Sequence, residues 1–167
     1  MSRQKGNAAE REVAKIIEHW WQPFEPEAHF VRTPLSGGWG GPSLRGTFGA
    51  AGDLMTTSKT FPFAVEVKRR EGWTWGRLLK GKPSPVWDWW LQAQVQGEEM
   101  QKIPMLWLRK NREPAWHIML PAWTLDVWGM VPVHSWIGSG LNVGKFPSLI
   151  VQSTLISLEP HKTLIPF

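Results

Sequence analysis

The ten residues FPFAVEVKRR, 61 to 70, constrain the chain more than any other stretch. Phe63, Val65 and Val67 alternate with Ala64, Glu66 and Lys68, which is the period of a β-strand. Residues two apart share a face, so Glu66 and Lys68 stand side by side within an otherwise apolar run. Burying a charge is costly unless it is paired or bound to a metal. Any fold that holds this strand must therefore give one of its faces either water or a charged partner. One reading is an exposed ion pair on the polar face of an edge strand, and a Glu-x-Lys triplet arises often by chance. The apolar flanks favour the other reading, a carboxylate and an ammonium placed for chemistry.

The elements around this strand follow from the same kind of pattern. KGNAAEREVAKIIEHW, 5 to 20, reads as an amphipathic helix with Val13, Ile16, Ile17 and Trp20 on one stripe and Glu12, Lys15 and Glu18 facing solvent. A short strand is expected around Phe30 to Thr33. Residues 35 to 52 are glycine-rich and aperiodic, so they read as a long loop, the kind that closes over a substrate. A strand starting at Asp53 and the strand Phe61 to Lys68 flank a turn at TSK, and together they read as an antiparallel hairpin. Residues 72 to 85 read as loop, Val86 to Lys102 as a second helix, and Ile103 to Leu108 and Trp116 to Leu120 as two further strands. The order helix, three strands, helix, two strands predicts an α/β fold with a mixed central sheet flanked by helices. Residues 121 to 167 hold short strand-like pieces and read as a β-rich C-terminal extension. The whole chain, 1 to 167, is expected to be a single domain with its core at about 5 to 120.

With 167 residues, 42% of them hydrophobic, the chain can bury a real core. It has no cysteine, which excludes disulfides, thiolate zinc sites and a cysteine nucleophile. No secretory h-region and no membrane-length apolar run is visible, so a cytoplasmic location and no membrane partner are expected. The formal net charge of +5 favours an anionic partner, most often nucleic acid. Thirteen tryptophans are expected mostly in the core, with a few at loop tips able to stack on bases.

Chemistry is expected where the hairpin brings Asp53 towards Glu66. Two hard carboxylates suit Mg²⁺, with Mn²⁺ able to replace it, and Lys68 beside them would position water or stabilise developing charge. Glu10 lies three residues before Val13 and seven before Ile17, on the core stripe rather than with the solvent-facing acids. That placement invites a partner such as a metal; equally, Asn7 and Glu10 have the spacing of a capping box. None of the five histidines has zinc-ligand spacing. The loop SGGWGG lacks the Gly-Lys-Ser/Thr ending of a phosphate-binding loop, so no nucleotide cofactor is expected.

KGNAAERE, FVRTPLSGG, GDLM and FAVEVKRR, taken in order, resemble the archaeal-type Holliday-junction resolvases of the PD-(D/E)XK nuclease superfamily, and most of all a phage-encoded relative. The resemblance covers about residues 5 to 108 and implies a restriction-endonuclease-like core. It implies that Glu10, Asp53 and Glu66 bind metal, with Lys68 beside the attacking water. Lys5, Arg11, Arg32 and Arg69 would contact DNA, as rigid guanidinium forks suit phosphate. Ser36 would assist at the scissile phosphate. WWLQAQ is similar to a stretch of phage members that places a glutamine near the site, with Gln92 the best match; the bland reading is a polar helix face. The resemblance implies a homodimer making paired nicks in a four-way junction, whose approximate two-fold symmetry a C₂ dimer matches. The same chemistry on flap, branched, single-stranded or restriction-type DNA is the alternative. A non-catalytic binding module is a third, disfavoured because carboxylates facing DNA repel phosphate unless a cation lies between.

Overall fold

The computed structural model describes residues 2–33, 49–124, 134–135 and 147–151. Helix α1, Ser2–Trp21, buries Ala9, Val13, Ala14, Ile17, Trp20 and Trp21 along one face. It begins earlier than its apolar stripe. Asn7 and Glu10 are therefore inside the helix, and the capping-box reading fails.

After α1 come β1 (Phe30–Arg32), β2 (Gly49–Ala51), β3 (Leu54–Thr56) and β4 (Phe63–Arg69). A short helix α2 (Trp75–Leu79) and a long helix α3 (Pro85–Met100) precede β5 (Ile103–Arg109) and β6 (His117–Pro121). Two strands of the C-terminal region, β7 (His134–Ser135) and β8 (Pro147–Val151), complete the order. Two of these elements fall where loop was expected. Strand β2 lies at the end of the glycine-rich segment. Helix α2 lies within 72–85, where the Thr74 hydroxyl caps it by accepting from Arg77 N at 3.3 Å. A five-residue helix is too short to show periodicity.

The strands form two sheets, one in the order β1-β3-β2 and one in the order β4-β5-β6-β8-β7. The second is mixed: β4 and β5 run parallel, while β6, β8 and β7 pair antiparallel. Parallel neighbours need a crossover, which α2 and α3 supply. Alternation assigns the two faces of this sheet. Phe63, Val65, Val67, Met105, Trp107, Ile118 and Leu120 cluster with α1. Leu106, Leu108 and Met119 cluster with Trp73, Leu78, Val86, Trp90 and Ala93 from α2, α3 and the segment before them. The result is an α/β fold in which α1 and α3 cover opposite sheet faces, and its C-terminal strands extend the sheet.

The expected hairpin is not formed. Both edges of β3 are taken, with Leu54 opposite Arg32 of β1 and opposite Ala51 of β2. Strand β4 gives one edge to β5, and to the segment before β3 it gives only a parallel bridge, Gly52 to Val65. The turn between β3 and β4 is held by Glu25, which accepts from Thr60 Oγ1 at 2.9 Å, from Lys59 N at 3.2 Å and from the Ser58 hydroxyl.

Two acids expected to face solvent have structural partners. Glu12 accepts both Nη atoms of the buried Arg109, at 2.7 and 2.6 Å, and Trp116 Nε1 at 3.1 Å. Glu18 accepts Phe30 N at 2.7 Å. Helical periodicity locates the apolar stripe but not the polar partners that other elements bring to its border. Of the tryptophans, Trp20, Trp21, Trp73, Trp90, Trp107 and Trp116 are buried, while Trp123 is exposed. Among the described residues no helix is long and apolar enough to cross a membrane.

Candidate active site

The free edge of β4 is where the acidic residues converge. Gly52 makes this possible. Its φ is +81°, and a Cβ there would run into the backbone of Val65, so only glycine fits the approach. The close contact lets Asp53 N donate to Val65 O at 2.7 Å, and Val67 N donate to Asp53 Oδ2 at 2.8 Å. Thr33 fastens the same segment from the other side. Its N donates to Asp53 O at 2.8 Å and its hydroxyl to Gly52 O at 3.0 Å. The Asp53 carboxylate is thus set beside the strand that carries Glu66 and Lys68.

Glu66 is 2% exposed, which removes the reading of an exposed ion pair. Its Oε1 is ion-paired with Lys68 Nζ and accepts from Gln92 Nε2 at 3.0 Å. Lys68 Nζ also donates to Gln92 Oε1 at 3.2 Å, so the amide of α3 bridges carboxylate and ammonium. Gln92 sits at the site rather than on an unengaged polar face.

Glu10 approaches from α1. Arg32 Nη1 donates to Glu10 Oε2 at 3.4 Å and to Asn7 Oδ1 at 3.2 Å. Burial raises the Glu10 pKa, and the charge of Asp53 raises it further, while Arg32 and Lys68 oppose the shift. Burial also raises the Asp53 pKa, against the Val67 N–H, Lys68 and Arg32. Glu66 is pushed up to about 7, first by burial and then by the charges of Asp53 and Glu10, with Lys68 opposing. The charge of Asp53 thus reaches both Glu10 and Glu66.

The other expected contacts are more scattered. Arg11 stands exposed on α1, next to Glu10 in sequence. Arg69 ends β4, half-buried. Lys5 lies within α1, with its side chain outside the described residues, and Ser36 with most of the expected closing loop, 34–48, lies outside them entirely. Sequence reasoning passed over Thr33 and Gly52, and read Asn7 only as a helix cap rather than as the acceptor for Arg32. Gly52 left a trace, a glycine immediately before the acid, whereas Asn7 and Thr33 act only through residues far away in the chain.

Among the described residues, no group of three or more His, Cys, Asp or Glu side chains is set to hold a metal ion as the side chains stand, and Glu10 accepts from Arg32. The donor set nevertheless fits a hard divalent cation. Asp53 and Glu66 are two carboxylates close enough for the charge of Asp53 to raise the proton affinity of Glu66, a repulsion that a cation between them relieves.

Such a sheet edge, with an aspartate set beside Glu-x-Lys on the adjacent strand, defines the class of PD-(D/E)XK nucleases. The chain belongs to the family described as Phage putative PDDEXK endonuclease, whose model matches residues 1–133. No curated protein and no solved structure shows a significant match. Membership makes the chain a DNA-acting nuclease of a class that generally depends on a divalent metal.

Proposed function

We propose that the chain is a Mg²⁺-dependent DNA endonuclease that resolves four-way junctions as a homodimer. The observation that carries the chemistry is the joint placement of Glu66, Lys68 and Gln92 beside Asp53. The substrate reading is supported by the N-terminal pattern of Lys5, Gly6, Glu10 and Arg11 together with Arg32, whose side chain reaches Glu10.

Asp53 and Glu66 would hold the metal, with Glu10 joining once released from Arg32. When bound, the cation supplies Lewis acidity that polarises a phosphoryl oxygen and eases deprotonation of water. Lys68 orients the attacking water and stabilises charge building on the phosphate. Gln92 holds Lys68 and Glu66 in register, so the ammonium and the carboxylate address one phosphate. Water oxygen bonds to phosphorus, the phosphodiester P–O bond breaks, and the departing oxygen takes a proton. Arg11, Arg32 and Arg69 would neutralise backbone phosphates, and Ser36 would approach the scissile phosphate from its segment.

The test is cleavage of a labelled four-way junction beside matching linear duplex, flap and single strand, in Mg²⁺ and in EDTA. Paired symmetric nicks in the junction alone, lost in EDTA, are expected. Mg²⁺-dependent cutting of every substrate would reduce the reading to a general endonuclease. Asp53→Asn or Glu66→Gln is expected to abolish cleavage while keeping or tightening DNA binding, because each removes a charge that repels phosphate. Either variant cutting at the normal rate would show the site to be misassigned.

A further inference from the structure

We propose that the rim where β4 and β5 end, lined by Arg69, Asn111 and Arg112, is a second DNA-backbone site that grips a phosphodiester a few nucleotides from the scissile one. The inference rests on the nuclease reading above and names where else that substrate is held.

The two strands leave the sheet together, with Arg69 paired to Arg109 in the last register position. Two hydrogen bonds tie the exits: Arg70 N donates to Arg109 O at 3.2 Å, and Asn111 N to Glu71 Oε1 at 2.8 Å. Beyond them opens a depression of about 600 Å³ lined by Arg69, Glu71, Asn111 and Arg112. That is room for a backbone phosphodiester with its sugars.

One donor there lacks an acceptor. Arg69 Nε is buried with no hydrogen-bond partner among the described residues. A buried N–H left unpaired is costly, and Arg69 also lines the depression, where an oxyanion would take a charge-assisted bond from its guanidinium. Arg112 is exposed at the tip of the turn between β5 and β6, in a left-handed conformation with φ +66°. A non-glycine residue held there points to a local demand on the backbone. Two arginines and one carboxylate line the depression. Glu71 is already engaged by Asn111 N, and Glu12, an acid that feels Arg69, is bonded through both oxygens by Arg109. The balance left at the rim is positive.

Spacing fits the same substrate. Arg69 follows Glu66 by three residues on one strand, about 10 Å at roughly 3.3 Å per residue. A DNA strand rises about 3.4 Å per nucleotide, so the rim lies about three nucleotide steps from the reacting centre.

The test is equilibrium binding of a labelled duplex to the full chain carrying Asp53→Asn, titrated with salt, with and without Arg112→Ala, Arg112→Lys or Lys59→Ala. Cleavage by the unaltered chain is measured in parallel. One lost phosphate contact lowers the slope of log K against log salt by about 0.9. Arg112→Ala is expected to show that loss with weaker binding, and Arg112→Lys to retain most of the slope. Lys59→Ala removes the same charge from the opposite end of β4 and is expected to change neither. An unaltered slope and affinity in Arg112→Ala, with the unaltered chain cutting DNA normally, would overturn this inference and leave the nuclease reading standing. Failure of the unaltered chain to bind or cut DNA would overturn both.

Discussion

Glu66 shares one oxygen between Lys68 and Gln92, yet burial, and after it the charges of Asp53 and Glu10, push its pKa up to about 7. Unfolded, a glutamate gives up its proton near 4.5. Between about pH 4.5 and 7 the folded chain therefore holds more protons than the unfolded one at this group. Raising the pH through that window favours the unfolded state. In EDTA, the denaturant midpoint is expected to fall as pH rises from about 4.5 to 7, and Glu66→Gln to flatten that slope, as urea titrations at several pH values will show. Protonation also competes with a divalent cation for the same oxygens, so cleavage is expected to decline as pH drops below about 7. The proposed mechanism has Lys68 orient the attacking water, and on it Lys68→Ala is expected to slow cleavage about 10²- to 10⁴-fold at saturating metal, measured in single turnover.

At the scale of elements, the site depends on how a short segment approaches β4. Gly52 bridges Val65, and Asp53 next to it takes the Val67 N–H. Any side chain at Gly52 meets Val65 backbone and is also strained at its positive φ. Gly52→Ala is expected to destabilise the fold by about 1–3 kcal/mol and to reduce cleavage beyond the fraction unfolded, because Asp53 must shift with the backbone. Thermal melting and activity at a temperature where the variant is folded will separate the two effects. Gly97 plays a packing role in α3. A Cβ there would lie 2.8 Å from Lys102 O, so the glycine lets the helix end sit close to the start of β5. The hairpin expected between the Asp53 segment and Phe61 to Lys68 was wrong for a physical reason. Two adjacent strands with a turn between them predict pairing only if their edges are free, and β3 has both edges filled by β1 and β2.

Across the whole molecule, α1 is fastened to the sheet by more than its apolar face. The guanidinium of Arg109, 7% exposed as a residue, is held by both oxygens of Glu12 and lies 4.2 Å from the Trp116 ring centroid. Glu12→Ala leaves that cation without its acceptors and is expected to cost about 1–3 kcal/mol of stability, seen as a lower denaturant midpoint. Because α1 also carries Glu10, loosening it reaches the site. The β4 strand, the α1 stripe, the helix α3 and the Glu66-x-Lys68 pair were legible in the sequence, because periodicity is a local property of the chain. The candidate acids Glu10 and Glu66 were legible too, as charges placed against apolar patterns, whereas Asp53 was singled out through a hairpin that does not form. Tertiary structure alone decided that Asp53 arrives through a single bridge rather than a hairpin, that Gln92 spans Glu66 and Lys68, that Asn7 and Glu10 hold Arg32, and that Glu12 serves Arg109 rather than solvent. Each of these joins residues distant in sequence, and such contacts depend on which strand edges and helix faces remain unfilled once the layers have packed.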